Sequence, residues 1–505
     1  MQTHYALKLW IVGLSAACGL VVEIVAGRMV APYLGMSLYT WTAIISVVLA
    51  GFSLGHWIGG RMAERRQRAA LRGVAWSLVL AGLSTIATLM TIRYAAPAII
   101  GLNLGAVATV LLVTFVLFFL PSLFVGIPAP VLTKLALDED APDRSGRTIG
   151  AFYAVGAIGS IAGTLAAGFL FISWLGTTNT LIVVALLYLL MGLALFASKG
   201  AGGLSSMWRP AAVVAVSALV IGYLGFRVQA FADPCRIASS YYCIRIVDVS
   251  RDMGTPARVM VLDHLGHGVN LRDAPQRLVS PYVELHDILA RIHVGNLPAP
   301  RAFFIGGGAY TLPRAWLAAR RDALITVAEI DPAVTRAAIS EMWLKPNDRL
   351  RTIHADARIA LQNAEAAAFD IIVGDAFHDI VIPPHLVTRE FFQLVAARLS
   401  KEGIYLMNVV DHQLRPRLAL SIWQTMRAAF PNVEVWRSNE TGTRTTFVLA
   451  AVARPTPAAR LATPASPGVA FQRLPGPVLR ELAKALRPVM LSDDYAPVDR
   501  LIGVE

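Results

Sequence analysis

Residues 1–230 hold only 20 of the chain's 78 Asp, Glu, Lys and Arg residues, and residues 231–505 hold the other 58. An ordinary soluble domain is about 25% charged throughout, so one water-soluble core cannot account for both halves. The first half carries apolar runs at 6–30, 39–60, 73–92, 107–132, 149–172, 180–197 and 211–226. Most of these approach the ~20 apolar residues that a bilayer core requires of one helix. An uncharged stretch between Arg93 and Lys134, punctuated by Pro97, Gly101, Pro121 and Pro128, is long enough for two short spans in place of one. Seven or eight membrane helices are expected. The first run passes through Glu23 without a small-residue cleavage site, so it reads as a retained anchor rather than a removed signal.

Charge then orients the spans. Residues 61–72 contain five arginines and one glutamate, which places this loop in the cytoplasm by the positive-inside rule. Eight helices return the chain to the cytoplasm after residue 229; seven leave it outside. Hydropathy favours seven, whereas a cytoplasmic cofactor, reached below, favours eight and a cytoplasmic second half. Three cysteines exclude a disulfide scaffold and lack zinc spacing, and no metal site is expected. Cys235 and Cys243 bracket a short segment, as two reduced thiols beside a hairpin or as a disulfide in an oxidising compartment. Glu23, an ionisable group in an apolar helix, calls for a polar cavity or a partner such as Arg28 or His56, or for a helix end from which it snorkels to water. The basic excess sits beside the apolar segments and forms no stripe interleaved with aromatics, which argues against nucleic-acid binding.

The second half reads as a small β-rich lead-in over 231–295 and an α/β domain over 296–505, after a helical domain over 1–230. From Arg301 strands alternate with helices, the pattern of a parallel sheet with crossovers. Gly306, Gly307 and Gly308 follow a strand and precede a helix, where backbone amides can approach a ligand. Glu329 ends the next strand about 20 residues on, the position from which a carboxylate grips ribose hydroxyls. Asp356 and Asp375 end the following two units. The glycines lack full GxGxxG spacing, so nicotinamide dinucleotide is the weaker nucleoside ligand.

These residues, with Tyr282 and Glu284 upstream, resemble spermidine synthases and the wider class of S-adenosylmethionine-binding folds. The segment DAFHDIVIPPHLVTREFF and the tail LSDDYAPV, on a chain that opens with a multi-helix membrane domain, resemble bacterial membrane proteins in which a transporter-like domain is fused to a spermidine synthase-like one. The fold class implied is a multi-helix α transmembrane domain followed by an α/β Rossmann-like, S-adenosylmethionine-binding domain. The resemblance implies that Glu329 holds the ribose, Asp356 with Ala357 the adenine, and Gly306 to Gly308 the cofactor's backbone. It implies catalytic roles for Asp375, Tyr282 and Glu284, with His378, Asp379, Tyr495 and, in the membrane, Glu23 as substrate candidates.

Departures from that pattern are specific. The Asp that holds the aminopropyl ammonium is here Ala309, the usual Tyr, Gln or His, Glu run is Tyr282-Val283-Glu284, and the second acid after Asp375 is His378. A diamine's ammonium groups need charged acceptors in exchange for water, so orthodox spermidine synthesis is not expected. The leading expectation is a multi-pass inner-membrane transferase that uses S-adenosylmethionine or its decarboxylated form and releases methylthioadenosine. Its acceptor would be a small molecule or a lipid, with membrane lipids around it and the oligomeric state open. A lactone-forming cleavage of the cofactor, methyl transfer, and a transporter or sensor with a non-catalytic nucleoside site are the alternatives.

Overall fold

The computed structural model describes residues 2–198, 200–201, 203, 207–320, 322–377 and 382–502, and the chain divides into two compact units, Met1–Cys243 and Ile244–Val504. The first unit contains α1 (Gln2–Leu34), α2 (Leu38–Ala63), α3 (Gln67–Ile100), α4 (Ala106–Gly126), α5 (Pro128–Leu137), α6 (Ser145–Ala166), α7 (Ile172–Ala197) and α8 (Trp208–Arg227). Among the described residues these make six apolar helical segments long enough to cross a membrane. The two short spans expected between Arg93 and Lys134 are not formed. Pro97 lies inside α3 and Pro121 inside α4, and Ile127 between α4 and α5 keeps helical angles (φ −69°, ψ −42°). Residues 106–137 thus run as one helix, because proline is absorbed in apolar helices where neighbouring helices re-satisfy the freed backbone.

The longest segment, Ser145–Ala197, has 53 residues, about 80 Å if straight at ~1.5 Å per residue. It does not run straight through: Gly176 takes φ 74°, ψ 173°, outside the helical region. Packing shows that the chain reverses there. A Cβ at Gly159 would collide with the Gly13 carbonyl and one at Gly163 with the Ala17 carbonyl, so α6 runs parallel to α1; Gly82 faces Ala185, and Gly192 faces Ala75, so α7 runs antiparallel to α3. Among the described residues seven long helices result, one fewer than the cofactor argument favoured. These glycines let backbones touch, the basis of helix association between small residues. Gly163→Leu is expected to lower the thermal midpoint of the detergent-solubilised protein, since overpacking typically costs about 1–3 kcal/mol; an unchanged midpoint would contradict the close α1–α6 contact.

After α8 the chain forms a short strand, β1 (Ile237–Ala238), and then β2 (Cys243–Asp248), a helical turn α9 (Ser250–Met253), β3 (Ala257–Leu262) and β4 (Leu265–Leu271). The last three strands pair antiparallel in sequence order. Next come α10 (Pro281–Val294), β5 (Arg301–Ile305), α11 (Thr311–Ala319), β6 (Leu324–Ala328), α12 (Pro332–Glu341), β7 (Leu350–Ile353), α13 (Ala357–Gln362) and β8 (Phe369–Gly374). The remainder is α14 (Arg389–Arg398), β9 (Leu399–His412), α15 (Arg417–Met426), β10 (Val433–Ser438), β11 (Arg444–Ala451), β12 (Arg460–Ala462), β13 (Ala470–Arg473), α16 (Gly476–Leu486) and α17 (Val498–Leu501).

The large sheet has strand order β12-β13-β10-β11-β9-β8-β5-β6-β7. From β7 to β9 it is parallel, and from β9 to β12 antiparallel. The strands read from the alternation, β5 to β8, are parallel as expected, and the antiparallel strands beyond β9 make the sheet as a whole mixed. β5 and β8 read as almost unbroken apolar runs because both sheet faces are covered. From β5 the chain winds outward to β6 and β7 and then returns to β8 on the other side. This reversal opens a crevice at the carboxyl ends of β5 and β8, where such sheets place ligands.

Candidate active site

Gly306 leaves β5 at the crevice with φ 92°, and a Cβ there would lie 3.1 Å from the Asp375 carbonyl oxygen and 3.2 Å from Ala376 Cα. Only glycine lets the two strand ends approach this closely. Gly308 also has positive φ, 50°, and its vacant Cβ position lies 3.2 Å from the His267 carbonyl oxygen. Glu329, 5% exposed at the end of β6, fastens the turn: its Oε2 accepts from the N–H groups of Gly307 (2.8 Å) and Gly308 (3.3 Å), and Oε1 from Asp331 (2.9 Å). Burial pushes the Glu329 carboxyl upward, against these three amides, which pull it down.

Asp356 follows β7 and caps α13, where Oδ1 accepts from the N–H groups of Arg358 (2.8 Å) and Ile359 (3.3 Å). Its Oδ2 lies 2.8 Å from His385 Nε2. Ala357, 6% exposed, is the first residue of that helix. Arg358 in turn grips Asp493 bidentately at 2.7 and 2.6 Å, and that hydrogen bonding holds the Asp493 carboxyl down at about 2. The acidic tail is thereby tied beside the Asp356 cap.

Asp375 stands at the end of β8, across the crevice from the glycines. Tyr282 Oη, from the first turn of α10, donates to Asp375 Oδ2 at 3.2 Å, and Asn408 Nδ2, from β9, donates to Oδ1 at 3.3 Å. The residue keeps part of its surface open, yet its carboxyl is desolvated enough to be pushed up to about 6, despite the opposing pull of the two hydrogen bonds. The oxygen of the Asn408 amide, Oδ1, is buried and has no donor among the described residues. His286, beside Tyr282 in an edge-to-face contact of 5.8 Å, is pushed down to about 3 by burial, and His267 to about 4.

The structure thus brings Tyr282 to Asp375, and Gly306 to Gly308 to Glu329. It sends Glu284 elsewhere: its carboxylate accepts from the Ala465 N–H at 3.0 and 3.2 Å. Tyr495 is 52% exposed and pairs through its backbone with Ser492. His378 and Asp379 lie outside the described residues. Glu23 belongs to α1 of the first unit and is partly buried. Sequence reasoning missed Asn408, whose place beside Asp375 follows from β9 pairing with β8 in parallel, Gly374 opposite Met407. It also missed His385 and the Arg358–Asp493 pair, although the segments that hold them, with PPHLV and LSDDY, stood out. No cluster of His, Cys, Asp or Glu among the described residues could hold a metal ion.

The fold and site define an α/β domain with a glycine turn and three carboxylates at the carboxyl edge of its parallel strands. No protein-family model matches the chain. Over 430 residues, 82% of this chain and 75% of the relative, it is 25% identical to polyamine aminopropyltransferase 2 of Streptomyces coelicolor. Over 135 residues, 26% of this chain, it is 31% identical to the polyamine aminopropyltransferase of Vibrio vulnificus, of whose length it spans 44%. Among solved structures, a probable spermidine synthase from Corynebacterium glutamicum aligns over 51% of this chain and 96% of its own, with 21% identity and a TM-score of 0.45. The chain is thus similar to polyamine aminopropyltransferases, and its C-terminal half has a spermidine synthase-like α/β fold.

Proposed function

We propose that the chain is a membrane-embedded transferase that binds a sulfonium nucleoside, S-adenosylmethionine or its decarboxylated form, and passes the carbon chain next to sulfur to an amine. The relatives named aminopropyltransferase support the reaction class, and the six apolar helical segments support the membrane setting. The residues fit a nucleoside in kind. A carboxylate offers about four lone-pair sites; Glu329 and Asp356 each use three, leaving one each for a ribose hydroxyl and for the adenine amino group.

The observation that carries the proposal is the Asp375 carboxyl, desolvated, held by Tyr282 and Asn408, and beside Asn408 Oδ1, which has no donor among the described residues. That arrangement offers two acceptors to an N–H nucleophile. The bound sulfonium supplies an activated carbon and leaves as methylthioadenosine, taking the C–S electron pair. As the amine nitrogen forms its new C–N bond, Asp375 would orient it and accept its proton. A carboxyl near 6 suits this work, since it is ionised at neutral pH yet a stronger base than an ordinary Asp.

Because the ionised form is the working one, turnover should rise with pH through about 6 and then level off. Tyr282→Phe removes a hydrogen bond that favours the carboxylate, so the rising limb should move to higher pH. A pH–rate profile checks this, and an unmoved limb would remove Tyr282 from the assignment.

Orthodox spermidine synthesis is not proposed, because Ala309 and Val283, both buried, put apolar groups where ammonium-holding side chains stand in the family pattern. The same two residues favour a second reading, in which the cofactor's own carboxylate attacks and a lactone leaves with methylthioadenosine. Purified protein should be given S-adenosylmethionine or its decarboxylated form, with and without a panel of primary amines. Methylthioadenosine formed together with an equal amount of alkylated amine supports transfer. Release from S-adenosylmethionine that ignores amines and accompanies lactone supports cyclisation.

A further inference from the structure

Side-chain bonds fix which helix ends of the first unit lie together. At one end Lys8 meets Glu139 at 2.7 Å, Gln67 donates to Glu139 at 2.9 Å, and Arg72 donates to the Ala201 carbonyl at 2.6 Å. The N-terminus and the α2–α3, α5–α6 and α7–α8 connections therefore share that end. At the other end Arg93 donates to the Ala232 carbonyl at 2.9 Å, and Arg28 to the Tyr241 and Ser239 carbonyls at 2.6 and 2.9 Å. There too, a Cβ on Gly176 would sit 2.9 Å from Asp233 Oδ2. The chain that leaves α8 thus gathers at the second end, opposite the loop with five arginines. Ten of the thirteen described Lys and Arg residues up to residue 230 belong to the first end; Arg28, Arg93 and Arg227 belong to the second.

Cys235 and Cys243, on the segment at the second end, form a disulfide. Structural disulfides persist in oxidising compartments and are rare in the cytoplasm. The charge distribution independently assigns the first end to the cytoplasm. The chain's third cysteine, Cys18, is buried in α1, so residues 244–505 contain no thiol to be oxidised. We infer that the synthase-like domain is held on the extracytoplasmic side of the membrane, with the Cys235–Cys243 disulfide closing the segment by which the chain leaves the helices. The inference rests on the membrane reading and not on the nucleoside one. It replaces the cytoplasmic side expected from an eight-helix count. If the nucleoside reading holds too, donor and acceptor must be drawn from outside or delivered across the bilayer by a separate step.

Two reporters of opposite sidedness test it in sealed right-side-out membrane vesicles, with sealing verified by a retained cytoplasmic enzyme. Glu365→Cys lies on an exposed turn of the second unit, and Glu64→Cys on the arginine-rich loop; neither touches the candidate active site. A membrane-impermeant maleimide should label Glu365→Cys before permeabilisation and Glu64→Cys only afterwards. Protection of Glu365→Cys until permeabilisation, or labelling of Glu64→Cys in sealed vesicles, would overturn the assignment. In the native chain, mass spectrometry after alkylation should find Cys235 and Cys243 unmodified until a reductant is added. Alkylation of both without reductant would overturn the disulfide closure. Neither readout involves turnover, so failure here is distinct from failure of the proposed activity.

Discussion

Asp375→Asn is expected to lower methylthioadenosine release about 100-fold or more, the scale usual for a lost acid–base group, while most of the nucleoside affinity survives. The change keeps the shape of the side chain and a hydrogen-bonding partner for Tyr282 or Asn408, but it removes the site to which an amine proton can move. It also removes the ionisation responsible for the rise in turnover near pH 6, so whatever activity remains should lose that limb. Nucleoside recognition falls on other strand ends, at Glu329 and Asp356, which is why binding and turnover should separate. Calorimetry and a product assay on the same preparation check both halves. Release at the parental rate would remove Asp375 from the chemistry.

The second large effect is expected at Glu329. Glu329→Ala takes from the amides of Gly307, Gly308 and Asp331 the acceptor that fastens a half-buried turn, and a donor left unsatisfied where water is excluded costs about 1–3 kcal/mol. The loss should therefore appear as a lower unfolding midpoint of the second unit as well as lost nucleoside affinity. Glu329→Gln keeps one acceptor oxygen but points a donor at the remaining amides, so it should fall between Ala and the parent. Affinity lost with the midpoint unchanged would mean that Glu329 contacts ligand without fastening the turn. Neither quantity changing would remove it from the site.

The division into two halves was legible because it depends on local composition: apolar helices need few charges, and 20 of 78 is few. The glycine turn and the carboxylates at Glu329, Asp356 and Asp375 were legible because each closes a strand followed by a helix. The number of long helices was less so. Pro97, Pro121 and Pro128 look like helix ends by rules learned in water, but the helices absorb them, whereas the reversal at Gly176 was legible, because the polar Thr177-Thr178-Asn179 separates the apolar runs 149–172 and 180–197. The antiparallel half of the large sheet escaped because β10 to β13 carry no crossover helices to mark them.

Within the site, what sequence could not supply was contact across strands. Asn408 reaches Asp375 only through the pairing of β9 with β8, and Asp493 reaches Arg358 from 135 residues away. Glu284 matched a motif by position, yet the fold uses its carboxylate to hold the Ala465 backbone. The LSDDY tail stood out as a pattern, and its use, a bidentate pair beside the Asp356 cap, required the structure.

The most direct test is to incubate the purified, detergent-solubilised full chain with S-adenosylmethionine and, separately, with its decarboxylated form, and to measure bound nucleoside and released methylthioadenosine. Primary amines and membrane lipids should be supplied as acceptors. The expected result is binding of at least one form, with methylthioadenosine released in multiple turnovers by the parent and far more slowly by Asp375→Asn. A parent that binds either nucleoside yet releases no methylthioadenosine under any of these conditions, or that binds neither, would contradict the proposed transferase.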